Sequence, residues 1–423
     1  MDQAVAYTTL AATVSLAVMR PRIGWRDLRF TPGSAALFGV TILVLTGQLT
    51  APDLIAAAQI QWRPLVALTS IMVITGVVQE VGAFERLASW IETRARTRSI
   101  THTFTVVFAL SVITPSLLNN DSAILILTPL VVALTRRLYP KNATATMAFA
   151  FVVFLAPGVA PLIVSNPMNM IVAEAAGVSF NAYAAIMVPI SLTGAVLTYA
   201  ILRWHFRKLL ASTSPVSAPL TTIHAHPAER PAVILLLAVF AAYPIAAALG
   251  AQIWGVAVAG ALGSLALSRR YDVAPVRRVA RHVSFDILMF LWGIFLVVQG
   301  LRRVGVVDQL ADVYHLAAPG GHHLALVGTV SAVGSALVDN HPMSILNLMA
   351  IDGTHGSRPL LAALIGGDIG PRLLPIGSLA GLLWMDLLRR AGVTISIGRF
   401  ARIGTLILLP TLGASLALLW LLS

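Results

Sequence analysis

Two short polar stretches interrupt an otherwise apolar chain and carry most of its capacity for chemistry. The first is SLLNNDSAIL, residues 116–125, with Asn119, Asn120 and Asp121 side by side. The second is LVDNHPMSIL, residues 337–346, with Asp339, Asn340 and His341. An Asn amide both donates and accepts hydrogen bonds, whereas an ionised Asp only accepts. Together they could hold a small solute, and a buried carboxylate can also carry a proton. Away from water each of these groups is costly unless something pairs with it. Helix capping also favours Asn and Asp, but a cap does not require three consecutive polar residues between two apolar helices.

Two further stretches combine polar residues with Gly and Pro: APGVAPLIVSNPMN, residues 156–169, and GGDIGPRLLPIGS, residues 366–378. Pro removes a backbone donor and Gly permits non-helical dihedrals, so both read as breaks within long helices. Asn166, Asn169 and Ser378 are candidate solute ligands, although the two Asn also suit the backbone groups freed by a break. Asp368 and Arg372 are one turn apart on a continuous helix, which predicts an internal ion pair. The alternative for Asp368 is proton coupling, a role it shares with Asp121, Asp339 and His341. His341 titrates near neutral pH when unperturbed, or serves only as a turn residue before Pro342. His322, His323 and the histidines of HAHPAER (224–230) read as solvated loop residues, and Glu80 as interfacial. Cysteine is absent, which excludes disulfides, thiolate ligands and a cysteine nucleophile. No metal or cofactor site is expected, and neither a His-Glu-x-x-His zinc motif nor intramembrane aspartyl-protease spacing supports an enzyme.

The elements that hold these stretches follow from composition. Hydrophobic residues make up 57% of the 423, charged residues 11%, and the mean hydropathy is +0.85. Apolar runs of about 20 residues, the length that crosses a bilayer as a helix, recur from end to end. The expected class is therefore an all-α polytopic membrane protein. The formal charge of +12 does not indicate nucleic-acid binding, because 24 of the 29 Lys and Arg lie in six short patches between apolar runs (20–29, 85–101, 136–142, 203–230, 269–283 and 389–402). That is the distribution of topology determinants on cytoplasmic loops.

With those patches placed in the cytoplasm, spans fall near 3–19, 34–50, 64–84, 143–176 and 182–203 in the first half. In the second they fall near 231–249, 252–268, 284–303, 359–390 and 400–421. The pairs at about 102–137 and 322–351 have polar residues only at their centres and read as re-entrant hairpins. Each half then has five crossings and one hairpin, and an odd number of crossings inverts the second copy, the common plan of secondary transporters. Short matches in the same order support a repeat: VGAFERLA (81–88) with VGVVDQLA (304–311), and AGVSF (176–180) with AGVTI (391–395). The expected organisation is an N-terminal repeat over 1–207, a cytoplasmic linker over 208–230 and a C-terminal repeat over 231–423, with both termini periplasmic. Hairpin tips and helix breaks would meet near the midplane, where irregular backbone is tolerated around a cavity.

The segments NNDSAILILTPLVVAL, LVDNHPMSILN and GGDIGPRLLPIGSLAGLLWMDLLRRAGVTISIGRFARIG resemble the arsenical pump membrane proteins, arsenite and antimonite efflux permeases of the ion transporter superfamily. The resemblance covers nearly the whole chain and is most specific in the last 60 residues. It implies a bacterial inner-membrane proton antiporter that exports trivalent arsenic and antimony, in some members with a soluble arsenical ATPase as partner. It carries site roles only to Asn119, Asn120, Asp121, Asp339, Asn340 and the stretch Asp368–Ser378. The DNHP tip departs from the amide-rich form expected of the family. Superfamily relatives include sodium-coupled dicarboxylate and citrate carriers and cation/proton antiporters, which form the alternative reading. A passive channel is the competitor outside the transporters. Arsenite at neutral pH is mainly the uncharged trihydroxide, and in a chain without cysteine its recognition must use oxygen-type contacts.

Overall fold

The computed structural model describes residues 2–23, 28–118, 120–140, 142–215, 225–318, 320–351 and 356–422. Apolar runs become helices throughout. In the first half these are α1 (Asp2–Met19), α2 (Pro32–Leu45), α3 (Ala51–Glu80), α4 (Ala83–Ala95), α5 (Ile100–Leu118) and α6 (Asn120–Leu138). A broken helix follows: α7 (Ala143–Leu155), a 3₁₀ turn (Ile163–Ser165) and α8 (Pro167–Ala175). Then come α9 (Phe180–His205) and α10 (Arg207–Ser212).

The second half runs α11 (Glu229–Ala248), α12 (Ile253–Arg270), α13 (Val276–Ala280), α14 (Phe285–Arg303), α15 (Val306–His315), α16 (Gly321–Val338) and α17 (Asn340–Ala350). Its broken helix is α18 (Arg358–Ile369), 3₁₀ turns at Gly370–Arg372 and Pro375–Gly377, and α19 (Leu379–Arg390); α20 (Ile397–Leu421) ends the chain. Among the described residues the one strand pairing is a two-residue ladder, Arg22–Ile23 against Leu28–Arg29. Seven helices, again among the described residues, are long and apolar enough to cross a membrane. Exposed side chains such as Ile234, Leu262 and Leu409 leave an apolar exterior suited to lipid. The chain is a multi-pass membrane protein.

The expected helix pairs and broken helices are all present, and two differences are informative. Helix α3 begins at Ala51, not near 64, because Pro64 is accommodated inside it. The basic stretch after residue 82 and its counterpart after 305 are helices, α4 and α15, where no helix was expected. Their mixed charged and apolar faces obscure them in a reading that treats charged residues as loop markers. Both matched VG motifs supply the turn before these helices: Gly82 and Gly305 have φ of 76° and 81°, which only Gly adopts without strain. The AG motifs act alike, with Gly177 at 64° and Gly392 at 67°.

Packing interleaves the two halves. Helix α2 lies on α14, α3 on α12, and α9 on α20. The tightest approach is α16 against α18, where a Cβ on Gly366 would stand 2.1 Å from the Gly328 carbonyl and one on Gly370 2.3 Å from that of Ala332. Small residues let membrane helices approach this closely. A second core gathers Phe151, Phe154, Trp384 and Phe400 in ring contact between α7, α19 and α20, and Phe149 of α7 meets Phe104 of α5. These contacts fix the two broken helices beside the two helix pairs.

Candidate functional site

Four helix N-termini converge on one cavity of about 50 Å³. Its lining includes Asn120 and Asp121 from α6, Asn166 and Pro167 from α8, Asn340 and His341 from α17, and Ser378 and Ala380 from α19. Among the described residues, three of the four carry a side-chain cap. Asn166 Oδ1 accepts from Met168 N at 3.0 Å with Pro167 at the first helical position, and Ser378 Oγ accepts from Gly381 N at 3.0 Å. Asp339 Oδ1 accepts from His341 N at 2.9 Å and pairs with His341 Nδ1 at 2.6 Å. Its backbone sits at φ 78° and ψ 148°, a region other residues than Gly avoid, so strain is stored next to the site. Helix N-termini present partial positive charge, and here the carboxylates of Asp121, Asp339 and Asp368 offset it.

Asp368 and Arg372 stitch the second broken helix to the first. Asp368 Oδ2 accepts from Ala160 N at 2.9 Å and its Oδ1 from Asn166 Nδ2 at 2.7 Å. Arg372 donates through Nη2 to the carbonyls of Leu155 and Pro157, both at 2.9 Å, and through Nη1 to Thr411 Oγ1 at 2.9 Å. The guanidinium thus satisfies carbonyls orphaned where α7 ends. A Cβ on Gly158 would reach 2.9 Å from Nη2, so that glycine makes room for the contact. The direct ion pair expected between Asp368 and Arg372 is not made. Helix α18 stops at Ile369 and the 3₁₀ turn at 370–372 redirects Arg372 toward α7, so the one-turn spacing never applies.

Of the residues singled out in the sequence, Asn120, Asp121, Asn166, Asn340, His341, Asp368, Arg372 and Ser378 line the cavity. Asn169 and Asp339 are buried just behind it. Asn119 lies outside the described residues. The Oδ1 atoms of Asn340 and Asn169 are buried without a partner among the described residues, so the cavity wall retains an acceptor for a hydroxyl donor. His322 and His323 fall in the first turn of α16, and Glu80 pairs with His282 at 2.8 Å.

Tyr183 is a residue that polarity did not reveal. It is fully buried on α9, its hydroxyl donates to Ala160 O at 3.0 Å and it accepts from Asn169 Nδ2 at 2.6 Å. It therefore braces the unwound segment whose Ala160 N–H holds Asp368. A single Tyr on an apolar helix gives no sign of this in the sequence.

Comparison with known proteins agrees with this architecture. Residues 11–422 match the family described as "Arsenical pump membrane protein". A protein of that description from Escherichia coli K12 is 30% identical over 425 residues, covering 96% of both chains. A Mycobacterium leprae "46 kDa membrane protein" is 28% identical, covering 92% of this chain and 93% of its own. The crystal structure of the Alcanivorax borkumensis YdaH transporter, described as having an unusual topology, superposes with a TM-score of 0.62 at 16% identity. It covers 99% of this chain and 96% of the other, and it shares the fold. With the family matched over nearly its full length, this chain belongs to the arsenical pump membrane proteins.

Proposed function

We propose that this protein is an arsenical pump that exports arsenite and antimonite across the bacterial inner membrane by proton antiport, using alternating access. The observation that carries this reading is the cavity at four converging helix N-termini, walled by amides and carboxylates and supplied by both halves of the chain. Its volume of about 50 Å³ exceeds the roughly 10–15 Å³ needed to admit one water, so a small neutral solute has room to enter. A dicarboxylate carrier needs positive charge or bound cations at its site, and Arg372, the arginine that lines this cavity, has both terminal nitrogens engaged by protein oxygens. A neutral trihydroxide needs donors and acceptors instead, which Asn120, Asn166, Asn340 and Ser378 supply.

In this mechanism Asp121, Asp339 or Asp368, with His341 beside Asp339, takes up a proton from the outer side, releases the solute there and returns the proton to the cytoplasm. Asn120 and Asn166 from the first half and Asn340 and Ser378 from the second hold the solute, with Asn169 and Asp339 behind them; Asn119, the remaining ligand candidate, lies outside the described residues. The halves 1–207 and 231–423, joined by the segment 208–230, act as inverted-topology repeats with re-entrant hairpins at α5–α6 and α16–α17 and with both termini periplasmic. The recurring element order, the paired left-handed glycines and the reciprocal packing of α2 on α14 and α12 on α3 support the repeat. The family match and the Escherichia coli pump support transport in place of an enzymatic role.

The test is arsenite uptake into everted membrane vesicles with an acidic lumen. Accumulation is expected only with the proton gradient and is expected to fail in Asn120→Ala. Flux that is independent of the gradient would mean a channel, and gradient-driven citrate uptake without arsenite uptake would favour the carboxylate carriers.

A further inference from the structure

A second cavity, about 350 Å³, lies at the far end of α8 from the central site. Arg63 and Pro64 of α3, Met170 and Glu174 of α8, Ser179 before α9 and Gln252 before α12 contribute to its wall. Helix α8 connects the two spaces: Asn166 and Pro167 at its start line the central cavity, and Glu174 lines this one. The eight-residue step from Asn166 to Glu174 amounts to about 12 Å of helix. Ring contact between Trp62 and Trp254 at 5.2 Å marks a membrane-interface depth, where Trp concentrates.

Arg63 Nη1 meets Glu174 Oε1 at 2.8 Å, with the side chains 44% and 39% exposed. So exposed a pair adds little to fold stability. It does leave the mouth of the cavity with no net charge, while Ser179 and Gln252 add neutral donors and acceptors. A charged solute finds no net attraction there, and a neutral hydroxide still finds hydrogen-bonding groups among the apolar ones.

We propose that this cavity is the release vestibule for the exported neutral hydroxide on the outer face, and that the Arg63–Glu174 pair bridges α3 and α8 while the vestibule is closed. The inference rests on the export reading and on the orientation proposed with it. Solute leaving the central cavity follows α8 and emerges between α3 and the α11–α12 turn. Release then requires the ion pair to part, because its two members sit on the elements that flank the path.

The absence of cysteine makes the test direct. Ala251→Cys puts a thiol at an exposed residue of the vestibule wall, and Asp312→Cys puts one on exposed α15, away from it. Right-side-out vesicles loaded with arsenite are treated with a bulky, membrane-impermeant thiol reagent. Labelling of both variants is expected, with loss of efflux only for Ala251→Cys. Complete labelling of Ala251→Cys with undiminished efflux, or labelling from the cytoplasmic face alone, overturns the proposal. Absence of arsenite flux in the unlabelled, unsubstituted protein overturns the export reading instead. Independently, Arg63→Glu is expected to depress efflux and the double exchange with Glu174→Arg to recover it. A double exchange as impaired as the single substitution would count against a bridging role for the pair.

Discussion

At the scale of single residues, the site depends on hydrogen bonds that cross between the two broken helices. Tyr183→Phe keeps the ring and removes one hydroxyl, leaving Asn169 Nδ2 and the Ala160 carbonyl without their partner. A buried unsatisfied group costs about 1–3 kcal/mol, so thermal unfolding in detergent is expected to shift down by several degrees with arsenite flux reduced. A variant with unchanged stability and flux would show that the hydroxyl does not brace the segment. Asp368→Asn tests a different property. Its side-chain oxygen can still accept from Ala160 N, so the variant is expected to fold and reach the membrane, while losing gradient-driven accumulation if that carboxylate carries the proton. Most of these residues were legible beforehand because Asn120, Asp121, Asn166, Asn340, Asp368 and Ser378 are polar groups in apolar surroundings, and such groups are rare unless used. Tyr183 and Gly158 were not, since each is ordinary in a membrane helix and acquires its role only through a neighbour distant in sequence. The Asp368–Arg372 spacing implies a pair only on a continuous helix, and α18 stops between the two residues.

At the scale of elements, backbone proximity holds the second helix pair against the second broken helix. The Gly366 and Gly370 positions face carbonyl oxygens of α16, and backbone cannot move aside as a flexible side chain can. Gly366→Ala is therefore expected to lower the unfolding temperature and abolish arsenite flux. Gly194→Ala, on α9, is its control: the nearest atom to the new Cβ is Ser415 Oγ at 4.0 Å. There the higher helix propensity of Ala, worth up to about 1 kcal/mol, should leave the protein as stable or slightly more so. Equal behaviour of the two variants would mean that the close approach does not matter. Helix pairs and breaks were readable because Pro, Gly and polar clusters punctuate apolar runs. Helices α4 and α15 were not, although the motifs that open them had been matched. Their glycine turns are local and visible, but the helices they start are amphipathic and carry the charges that otherwise signal a loop.

At the scale of the whole molecule, the two halves are interleaved and do not stand side by side. Helix α2 of the first half packs on α14 of the second, α12 of the second on α3 of the first, and α9 on α20 across the middle. Polar contacts follow the same plan: Asp53 at the start of α3 pairs with Arg303 at the end of α14 at 2.7 Å, and Glu80 at the end of α3 pairs with His282 just before α14 at 2.8 Å. The Gly33 N–H at the start of α2 donates to Asp286 Oδ1 at 3.0 Å. The central cavity draws its walls from both halves as well. A half produced alone would expose the helix faces meant for the other and would hold only part of the site. Two chains broken between α10 and α11 keep every one of these contacts if they meet in the same membrane. Cells sensitive to arsenite are therefore expected to gain resistance when both pieces are co-expressed and to gain none from either piece alone. Export by a single piece would show that one half builds a working site, by pairing with a second copy of itself, and would displace the interleaved arrangement as the functional unit.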